Sequence, residues 1–372
     1  MRFARTDRSA MAQWWWTVDR WTLVALFVLI GLGALMIMAS SPAIAIRIHA
    51  SSPQYFVHHY LIELPIALAV MFGVSLLSPR DLRRLALIVF AVFMLGLAYT
   101  LVGGTEIKGA RRWITLPFLS VQPSEFVKPC FAVLTAWLFA QHKLTPRFPG
   151  HWIAILALFG IVALLIRQPD LGMAAVVIAV FFVQFLLAGL NLVWILAFAM
   201  AAGGGLVGAY FALPHVASRI DRFFDPTVSG SYQIDRAMAA FMNGGLWGRG
   251  PGEGTMKQFL PDAHADFVFA VAGEELGLVV CLLIVALFAF IVLRGLSRLL
   301  QESNLFVVLA ATGLFVQFGL QAVINMASSL ELMPTKGMTL PFISYGGSSL
   351  VALGLTMGMT LALTRRRYGV DT

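Results

Sequence analysis

The stretch DFVFAVAGEELGLVVCLLIVALFAFIVL, residues 266–293, decides the fold of this chain. Its three acidic residues lie in the first part, and no charged side chain occurs from Leu276 to Leu293. A helix needs about 20 apolar residues to cross a hydrocarbon core of about 30 Å. The stretch therefore predicts a membrane-spanning helix with an acidic end.

Similar apolar runs recur along the whole chain. Its 372 residues are 59% hydrophobic and 12% charged, whereas a soluble domain has about 45–50% and about 25%. This composition excludes an ordinary soluble protein and a disordered chain. The only cysteines, Cys130 and Cys281, lie inside apolar runs, so we expect buried thiols and no disulfide scaffold. The runs predict an all-α polytopic integral membrane protein with about ten transmembrane helices, at 21–40, 57–78, 85–102, 125–141, 151–167, 170–189, 191–213, 266–293, 305–327 and 344–364.

Ten crossings place both termini on one side of the membrane. Lys and Arg residues of the short loops predominate on that side, which predicts that it is cytoplasmic. We therefore expect a cytoplasmic segment at 1–20, a transmembrane domain at 21–364 and a cytoplasmic tail at 365–372. Two long extracytoplasmic loops are expected at 103–124 and, between helices seven and eight, at 214–265. The net charge of +8 follows from this pattern and from anionic lipid, so no nucleic-acid partner is expected.

The longer loop contains GGLWGRGPGEG, residues 244–254, with six glycines in eleven positions. Backbone N–H groups of such a segment can cradle an anion, with Arg249 and Lys257 adding positive charge. No GK[ST] sequence follows, so the loop is not a nucleotide P-loop. The alternative is a flexible, turn-rich loop without a ligand.

Acidic residues lie where this loop enters the eighth predicted helix. Asp266 has two interpretations, a helix cap or a general base facing an outer cavity, and the residues alone favour the cap. His264 could hydrogen-bond to its carboxylate. Glu274 and Glu275 follow two turns later, where ionisable groups normally face a bundle interior or a water-filled cavity. We expect one of the two to have a network or functional role.

The shorter loop enters the fourth predicted helix with an acid and a base at helical i, i+3 spacing. Glu125 and Lys128 form either a local salt bridge or a site in which Lys128 faces a phosphate and Glu125 holds it in place. Arg111 and Arg112 either contact lipid headgroups or bind an anionic substrate. Asp170 is interpreted as the cap of the sixth helix.

Several long motifs in fixed order resemble the SEDS family of shape, elongation, division and sporulation proteins. The similarity covers nearly the whole chain, and the glycine-rich and carboxyl-terminal motifs look like the division-type, FtsW-like branch. Ala265, Ser231 and Glu331 depart from the residues usual in the family. The motifs are GARRWI (109–114), QPSEFVK (122–128), QPDLG (168–172), GRGPGEG (248–254), LPDAHADFVFA (260–270) and PTKGMTLPFISYGGSS (334–349).

The resemblance implies a peptidoglycan glycosyltransferase that polymerises lipid II into β-1,4 glycan strands during septal cell-wall synthesis and cell division. We expect it in the bacterial cytoplasmic (inner) membrane, concentrated at the division septum. The family's catalytic aspartate lies in an HxDF motif, here residues 264–267. That match assigns Asp266 as the base and reverses the preference for a cap. The family's functional acid and lysine match Glu125 and Lys128.

The implied reaction inverts the donor sugar and releases undecaprenyl pyrophosphate. That leaving group needs no proton, so one carboxylate base is enough. Ser344 and Tyr345 either hydrogen-bond to substrate or belong to a glycine-rich packing segment. A divalent cation, Mg²⁺ or Mn²⁺, could assist through the substrate phosphates, with no protein metal site and no organic cofactor expected. The predicted substrate-binding residues are Glu125, Lys128, Arg111, His264, Arg249, Lys257, Gln122, Ser344 and Tyr345.

The resemblance also implies partners, namely a class B penicillin-binding protein of the FtsI type and other division proteins. Two other classes of function remain open. One is a lipid II flippase or transporter, with Glu63, Glu274 and Glu275 lining a path across the bilayer. The other is a non-catalytic scaffold that activates a partner transpeptidase.

Overall fold

The protein, in a computed structural model, is mostly helical, which confirms the predicted fold class. The structure describes residues 9–47, 49, 52–107, 110–115, 120–189, 232–260, 262–334 and 337–366, with scattered positions from 193 to 221. The predicted helix at 191–213 and the first part of the loop at 214–265 lie largely outside the described residues. The count of ten transmembrane helices is therefore not established.

The described helices follow the predicted runs except for Ala10–Thr17, in the predicted amino-terminal segment, and Tyr232–Gly244, in the predicted loop at 214–265. They are α1 (Ala10–Thr17), α2 (Arg20–Arg47), α3 (Tyr55–Ser75), α4 (Pro79–Gly103), α5 (Pro123–Leu144), α6 (Gly150–Arg167), α7 (Leu171–Leu187), α8 (Tyr232–Gly244), α9 (Val268–Leu299), α10 (Leu305–Ser329) and α11 (Gly347–Thr364). Among the described residues, seven helices are long and apolar enough to cross a membrane, namely α2, α3, α4, α6, α9, α10 and α11. The apolar α7 is shorter, and α5 carries a buried ion pair.

A small sheet occupies the shorter outer loop, which composition alone did not predict. Its antiparallel strands β1 (Thr105–Ile107), β2 (Ala110–Thr115) and β3 (Ser120–Val121) lie in the order β1-β2-β3. Thr105 pairs with Trp113, and Ile114 pairs with Val121. The sheet leads directly into α5 and so fixes where that helix begins.

Polar side chains join the central helices. Gln184 of α7 donates from Nε2 to the Ala132 carbonyl at 2.7 Å and to the Leu309 carbonyl at 3.0 Å, and accepts from Thr135 at 2.5 Å. A Cβ on Gly313 would collide with the Gln184 amide. Because buried amides must be hydrogen-bonded, this residue fixes the register of α5, α7 and α10.

The two ends of the chain meet at the same end of the bundle. Arg294 of α9 forms two hydrogen bonds to Asp19, at 2.7 and 3.0 Å. The backbone N–H of Arg366 donates to the Thr17 carbonyl at 3.1 Å. These contacts bring the described segments near Thr17 and Arg366 together, and the cytoplasmic location of both termini stays a prediction.

Helix α9 is interrupted at Gly277, whose φ of 80° and ψ of 177° are not helical. The glycine-rich loop fills the break: Leu278 N–H donates to the Gly245 carbonyl at 2.9 Å, and Val279 N–H to the Leu246 carbonyl at 3.3 Å. A Cβ on Gly277 would collide with the loop backbone. About 20 residues of α9 remain after the break, enough to cross a bilayer. The segment before Gly277, which contains Glu274, is therefore not needed for the crossing.

Candidate functional site

The glycine-rich loop forms a nest of backbone N–H groups, and the anions it holds are Glu274 and Glu275. Thr255 N–H donates to Glu274 Oε1 at 3.0 Å, and Met256 N–H donates to Glu274 Oε2 at 3.0 Å. Gly252 N–H donates to Glu275 Oε2 at 2.9 Å. Both carboxylates are buried. The predicted network role of this acid pair is therefore confirmed, and the loop is ordered around the protein's own charges.

The two basic residues of this loop differ in exposure. The buried Lys257 ammonium contacts Glu275 Oε1 at 2.7 Å, the Gly252 carbonyl at 2.7 Å and the Ala39 carbonyl at 2.9 Å. These contacts use all three ammonium donors. Arg249 is exposed, with long hydrogen bonds to the Asn243 carbonyl (3.4 Å) and Thr255 Oγ1 (3.3 Å). Of the pair, Arg249 is the one that an outer ligand can reach without breaking a buried ion pair.

The predicted ion pair at the start of α5 is present and buried. Lys128 Nζ lies 2.9 Å from Glu125 Oε2, and it donates to Gln321 Oε1 of α10 at 3.1 Å. Gln321 Nε2 in turn donates to the Thr339 carbonyl at 3.1 Å, and Thr339 Oγ1 contacts Ser349 Oγ at 2.9 Å. A charged pair this deep is retained only with such hydrogen bonds, so α5 is tied to the segment before α11.

The backbone of Asp266 contacts the same helix α10, one helical turn from Gln321. Asn325 Nδ2 donates to the Asp266 carbonyl at 3.0 Å and to the Met338 carbonyl at 2.6 Å. Because Gln321 and Asn325 are four residues apart, they project from one face of α10. This face brings the Asp266 backbone and the Lys128 side chain to one region of the structure.

Asp266 does not cap α9, so the interpretation that the residues alone favoured is wrong. Phe267 occupies the N-cap position, and α9 begins without a side-chain cap. Asp266 is half-buried, and a Cβ on Gly337 would lie 3.2 Å from its Oδ2. The missing side chain at Gly337 gives the carboxylate its space. Asp170, in contrast, accepts from Met173 N–H at 3.3 Å and caps α7, as predicted.

The segment that precedes Asp266 is clamped by the turn before α11. Ser344 Oγ donates to the Ala265 carbonyl at 2.5 Å and accepts from Leu340 N–H at 2.8 Å. Tyr345 N–H donates to the His264 carbonyl at 2.8 Å, and the two rings lie 5.6 Å apart. Burial raises the pKa of the Tyr345 hydroxyl above its usual value, with the charge of Glu63 adding to it, so the hydroxyl stays a donor. His264, Ser344 and Tyr345 thus hold the backbone beside Asp266.

The remaining predicted residues lie around this region. Arg111 projects from β2 with an exposed ion pair to Glu106 at 3.2 Å. Gln122 precedes α5, and its backbone N–H donates to Ser348 Oγ at 3.1 Å. Arg112 Nε donates to the Gln168 carbonyl at 2.9 Å and so joins the sheet to the turn before α7. Arg111 is therefore the arginine of the sheet that is open to an outer ligand.

Sequence reasoning missed the residues of α10 that organise the site. Gln321 and Asn325 are uncharged and lie outside the quoted motifs, whereas their partner Thr339 lies before α11 in the motif at 334–349 and was assigned no role. A signal was available, because two amides four residues apart in an apolar membrane helix form a polar stripe. Among the described residues, no group of three or more His, Cys, Asp or Glu side chains could hold a metal ion.

Sequence comparison identifies relatives that share one description. The chain is 45% identical over 370 residues to a probable peptidoglycan glycosyltransferase FtsW of Caulobacter vibrioides, covering 99% of this chain and 94% of the relative. A protein of the same description from Coxiella burnetii is 34% identical, with 94% and 96% covered.

Solved structures agree with the sequence relatives. A chain from a structure described as "Structural coordination of polymerization and crosslinking by a peptidoglycan synthase complex" matches with a TM-score of 0.75 and 26% identity, covering 93% of this chain and 97% of that one. The rod shape determining protein RodA of Thermus thermophilus matches with a TM-score of 0.68 and 28% identity, covering 94% and 97%. The family model FTSW_RODA_SPOVE, described as cell cycle protein, matches residues 20–369, and the chain therefore belongs to this family.

Proposed function

We propose that this protein is a peptidoglycan glycosyltransferase that polymerises lipid II at the outer face of the cytoplasmic membrane. The observation that carries the proposal is that one face of α10 contacts both the backbone of Asp266, whose side chain is half-buried, and Lys128 of the buried Lys128–Glu125 pair. The Asp266 carboxylate can abstract a proton, and the Lys128 ammonium can bind an anionic group of the substrate. Relatives named as probable peptidoglycan glycosyltransferases support the same activity.

Asp266 is the general base of the proposed reaction. It removes the proton from an acceptor sugar 4-hydroxyl, whose oxygen attacks the anomeric carbon of the donor. The bond from that carbon to the pyrophosphate oxygen breaks, and the α-linked donor gives a β-1,4 linkage with inversion. Undecaprenyl pyrophosphate leaves as an anion and carries the bonding electron pair. A single carboxylate is therefore sufficient, unlike the acid and base pair of most glycosidases.

Positive groups stabilise the charge that develops on the departing pyrophosphate. Two of the three donors of Lys128 are used by Glu125 and Gln321, which leaves one for a phosphate oxygen. Arg111 and Arg249 are exposed at the outer surface and supply further charge. A divalent cation, Mg²⁺ or Mn²⁺, would neutralise phosphate oxygens that the substrate itself provides.

The contacts disfavour the two rival functions. A lipid II flippase or transporter would use Glu63, Glu274 and Glu275 along a path through the bilayer, yet two of these acids, Glu274 and Glu275, accept hydrogen bonds from the loop backbone. A non-catalytic scaffold would have no use for a carboxylate seated in space left by Gly337. The enzyme proposal alone requires a base at this position.

Location and partners complete the proposal. The relatives are FtsW proteins, which supports a role at the division septum with both termini in the cytoplasm. A structural neighbour comes from a complex that coordinates polymerisation and crosslinking. We therefore propose a class B penicillin-binding protein of the FtsI type as partner, acting with other division proteins.

The test is glycan polymerisation from purified lipid II, with and without an FtsI-type partner and with Mg²⁺ or Mn²⁺. We expect the wild-type protein to make β-1,4 polymer and Asp266→Asn to make none while staying folded. Polymer at wild-type rates from Asp266→Asn would contradict the assigned base. Absence of polymer from both proteins under every condition, together with lipid II translocation, would favour the flippase.

A further inference from the structure

Glu63 is a buried acid that the proposed mechanism does not use. It lies in the outer half of α3, and its side chain is 8% exposed. Among the described residues, nothing hydrogen-bonds to its Oε2 atom. A buried polar atom without a partner costs free energy, and an acid within a membrane helix normally has a function. The acid therefore needs an explanation that helix packing does not give.

The seam between α3 and α11 is built around this carboxylate. Glu63 and Ala67 lie one turn apart on the face of α3 that meets α11. A Cβ on Gly347 would collide with the Glu63 carboxylate, and a Cβ on Gly354 would collide with the Ala67 backbone. Glycines let the helices approach closely, as is typical of membrane helix pairs. An apolar side chain would fit such a seam at lower cost than an acid does.

Aromatic rings surround the outer end of the seam. Tyr55 and His59, above Glu63 on α3, have ring centroids 4.3 Å apart. Phe56 lies 5.0 Å from the Tyr345 ring and 4.3 Å from the His264 ring. Tyr55, His59 and Tyr345 are half-exposed, whereas Phe56 is buried beneath them. The cluster thus places half-exposed aromatic rings on α3 and beside α11, the two helices whose seam contains Glu63.

This chemistry suits a sugar better than a phosphate. The described structure places no Lys or Arg in an ion pair with Glu63, and His59 is the ionisable group that bears on its charge. A carboxylate accepts hydrogen bonds from hydroxyl and amide groups, and the C–H face of a pyranose ring packs against aromatic rings. The cationic groups that suit a pyrophosphate, Lys128 and Arg111, lie elsewhere.

The cluster shares its backbone with the proposed base. Tyr345 N–H donates to the His264 carbonyl, two residues before Asp266, and Ser344 donates to the Ala265 carbonyl. A ligand packed against Tyr345 therefore lies close to the segment that positions Asp266.

We propose that Glu63 accepts a hydrogen bond from a hydroxyl or amide group of a substrate sugar, flanked by Tyr55, His59 and Tyr345. This sugar subsite rests on the proposed function and adds a residue that recognises the glycan part of lipid II. Among the described residues the Glu63 Oε2 atom has no hydrogen-bond partner, and the substrate sugar would supply one.

The test compares two ligands that differ in the sugar, with the protein in nanodiscs and in an Asp266→Asn background to prevent turnover. The probes are lipid II and undecaprenyl pyrophosphate. We expect Glu63→Met to weaken lipid II binding about 10- to 100-fold, because a hydrogen bond to a charged group is lost. Binding of undecaprenyl pyrophosphate stays unchanged. The unfolding temperature stays equal or rises, because an unpaired carboxylate has been removed.

Gly354→Ala is the matched control, since it disturbs the same seam without touching the carboxylate. We expect it to lower the unfolding temperature and to leave the affinity ratio of the two probes unchanged. Equal affinity for lipid II in Glu63→Met, or equal weakening of both probes, would overturn the subsite. Wild-type polymerisation, measured in parallel, tests the proposed function separately, so the two failures are distinguishable.

Discussion

Two acidic regions lie within a few turns of each other at the outer end of α9, and they differ in how their charges are satisfied. Glu274 and Glu275 are buried and accept hydrogen bonds from the loop backbone and from Lys257. Asp266 is half-buried, and its carboxylate has the space that Gly337 leaves open. The first region is neutralised by the loop backbone and Lys257, and the second contains the residue that we propose as the base.

The difference shows that the role of an acidic residue near a membrane depends on which hydrogen-bond donors contact its carboxylate. A buried carboxylate that receives several N–H donors is stabilised as an ion and holds those donors in place. A carboxylate that solvent and substrate can reach can exchange a proton. Both kinds occur within residues 266–275, so sequence position alone does not distinguish them.

Breaking the ion pair under the loop gives the largest expected loss of stability. Lys257→Met leaves Glu275 buried without its cation, and we expect the free energy of unfolding to fall by about 3–5 kcal/mol. Thermal unfolding in detergent measures the change. The double variant Lys257→Met with Glu275→Gln removes both charges and should recover part of the loss. Equal stability of Lys257→Met and wild type would show that the loop does not depend on this pair.

The Glu125–Lys128 pair sharpens the comparison because it is as buried as Lys257 yet lies beside Asp266. If Lys128 contacts the pyrophosphate, Lys128→Met lowers kcat/KM for lipid II about 10- to 100-fold, since a charge-assisted contact is lost. The double variant with Glu125→Gln removes the unpaired acid and should restore stability but not rate. Recovery of both stability and rate would show that the pair acts only as a salt bridge.

Asn325 tests whether the position of Asp266 matters. Asn325→Leu removes the hydrogen bonds to the Asp266 and Met338 carbonyls, at a cost of about 1–3 kcal/mol in stability. We expect kcat to fall while KM stays close to wild type, because the base moves and the substrate contacts remain. Gln317→Leu, on the same helix, is the matched control. Polymerisation kinetics and thermal unfolding together separate the two effects.

Ser344→Ala gives the smallest expected effect. The substitution removes the hydrogen bonds to the Ala265 carbonyl and from Leu340 N–H, worth about 1 kcal/mol each. If the hydroxyl only clamps the backbone, stability falls slightly and KM for lipid II is unchanged. A rise in KM at unchanged stability would instead assign Ser344 to substrate binding.

Much of the fold follows directly from the sequence. Apolar runs predict the helices because a bilayer requires a fixed length, and the i, i+3 spacing of Glu125 and Lys128 predicts their contact. The cap formed by Asp170 also follows from local rules. The break at Gly277 was not predicted, since it depends on a distant loop that supplies the missing backbone hydrogen bonds.

The candidate site is less accessible to sequence reasoning. Local rules favour Asp266 as a cap, and only the family resemblance points to a base. The glycine-rich loop has the composition of an anion nest, yet no local rule identifies Glu274 and Glu275 as its anions. Tertiary contacts decide both outcomes, because they determine which donors reach which carboxylate.

The most direct test of the account is the polymerisation rate per folded molecule of Asp266→Asn, measured beside that of Glu274→Gln. We predict that Asp266→Asn unfolds at the wild-type temperature and loses about 10²- to 10⁴-fold in rate, the contribution of a general base. Glu274→Gln should unfold at a lower temperature and keep measurable polymerisation while folded. An Asp266→Asn protein that polymerises lipid II at the wild-type rate would contradict the central claim.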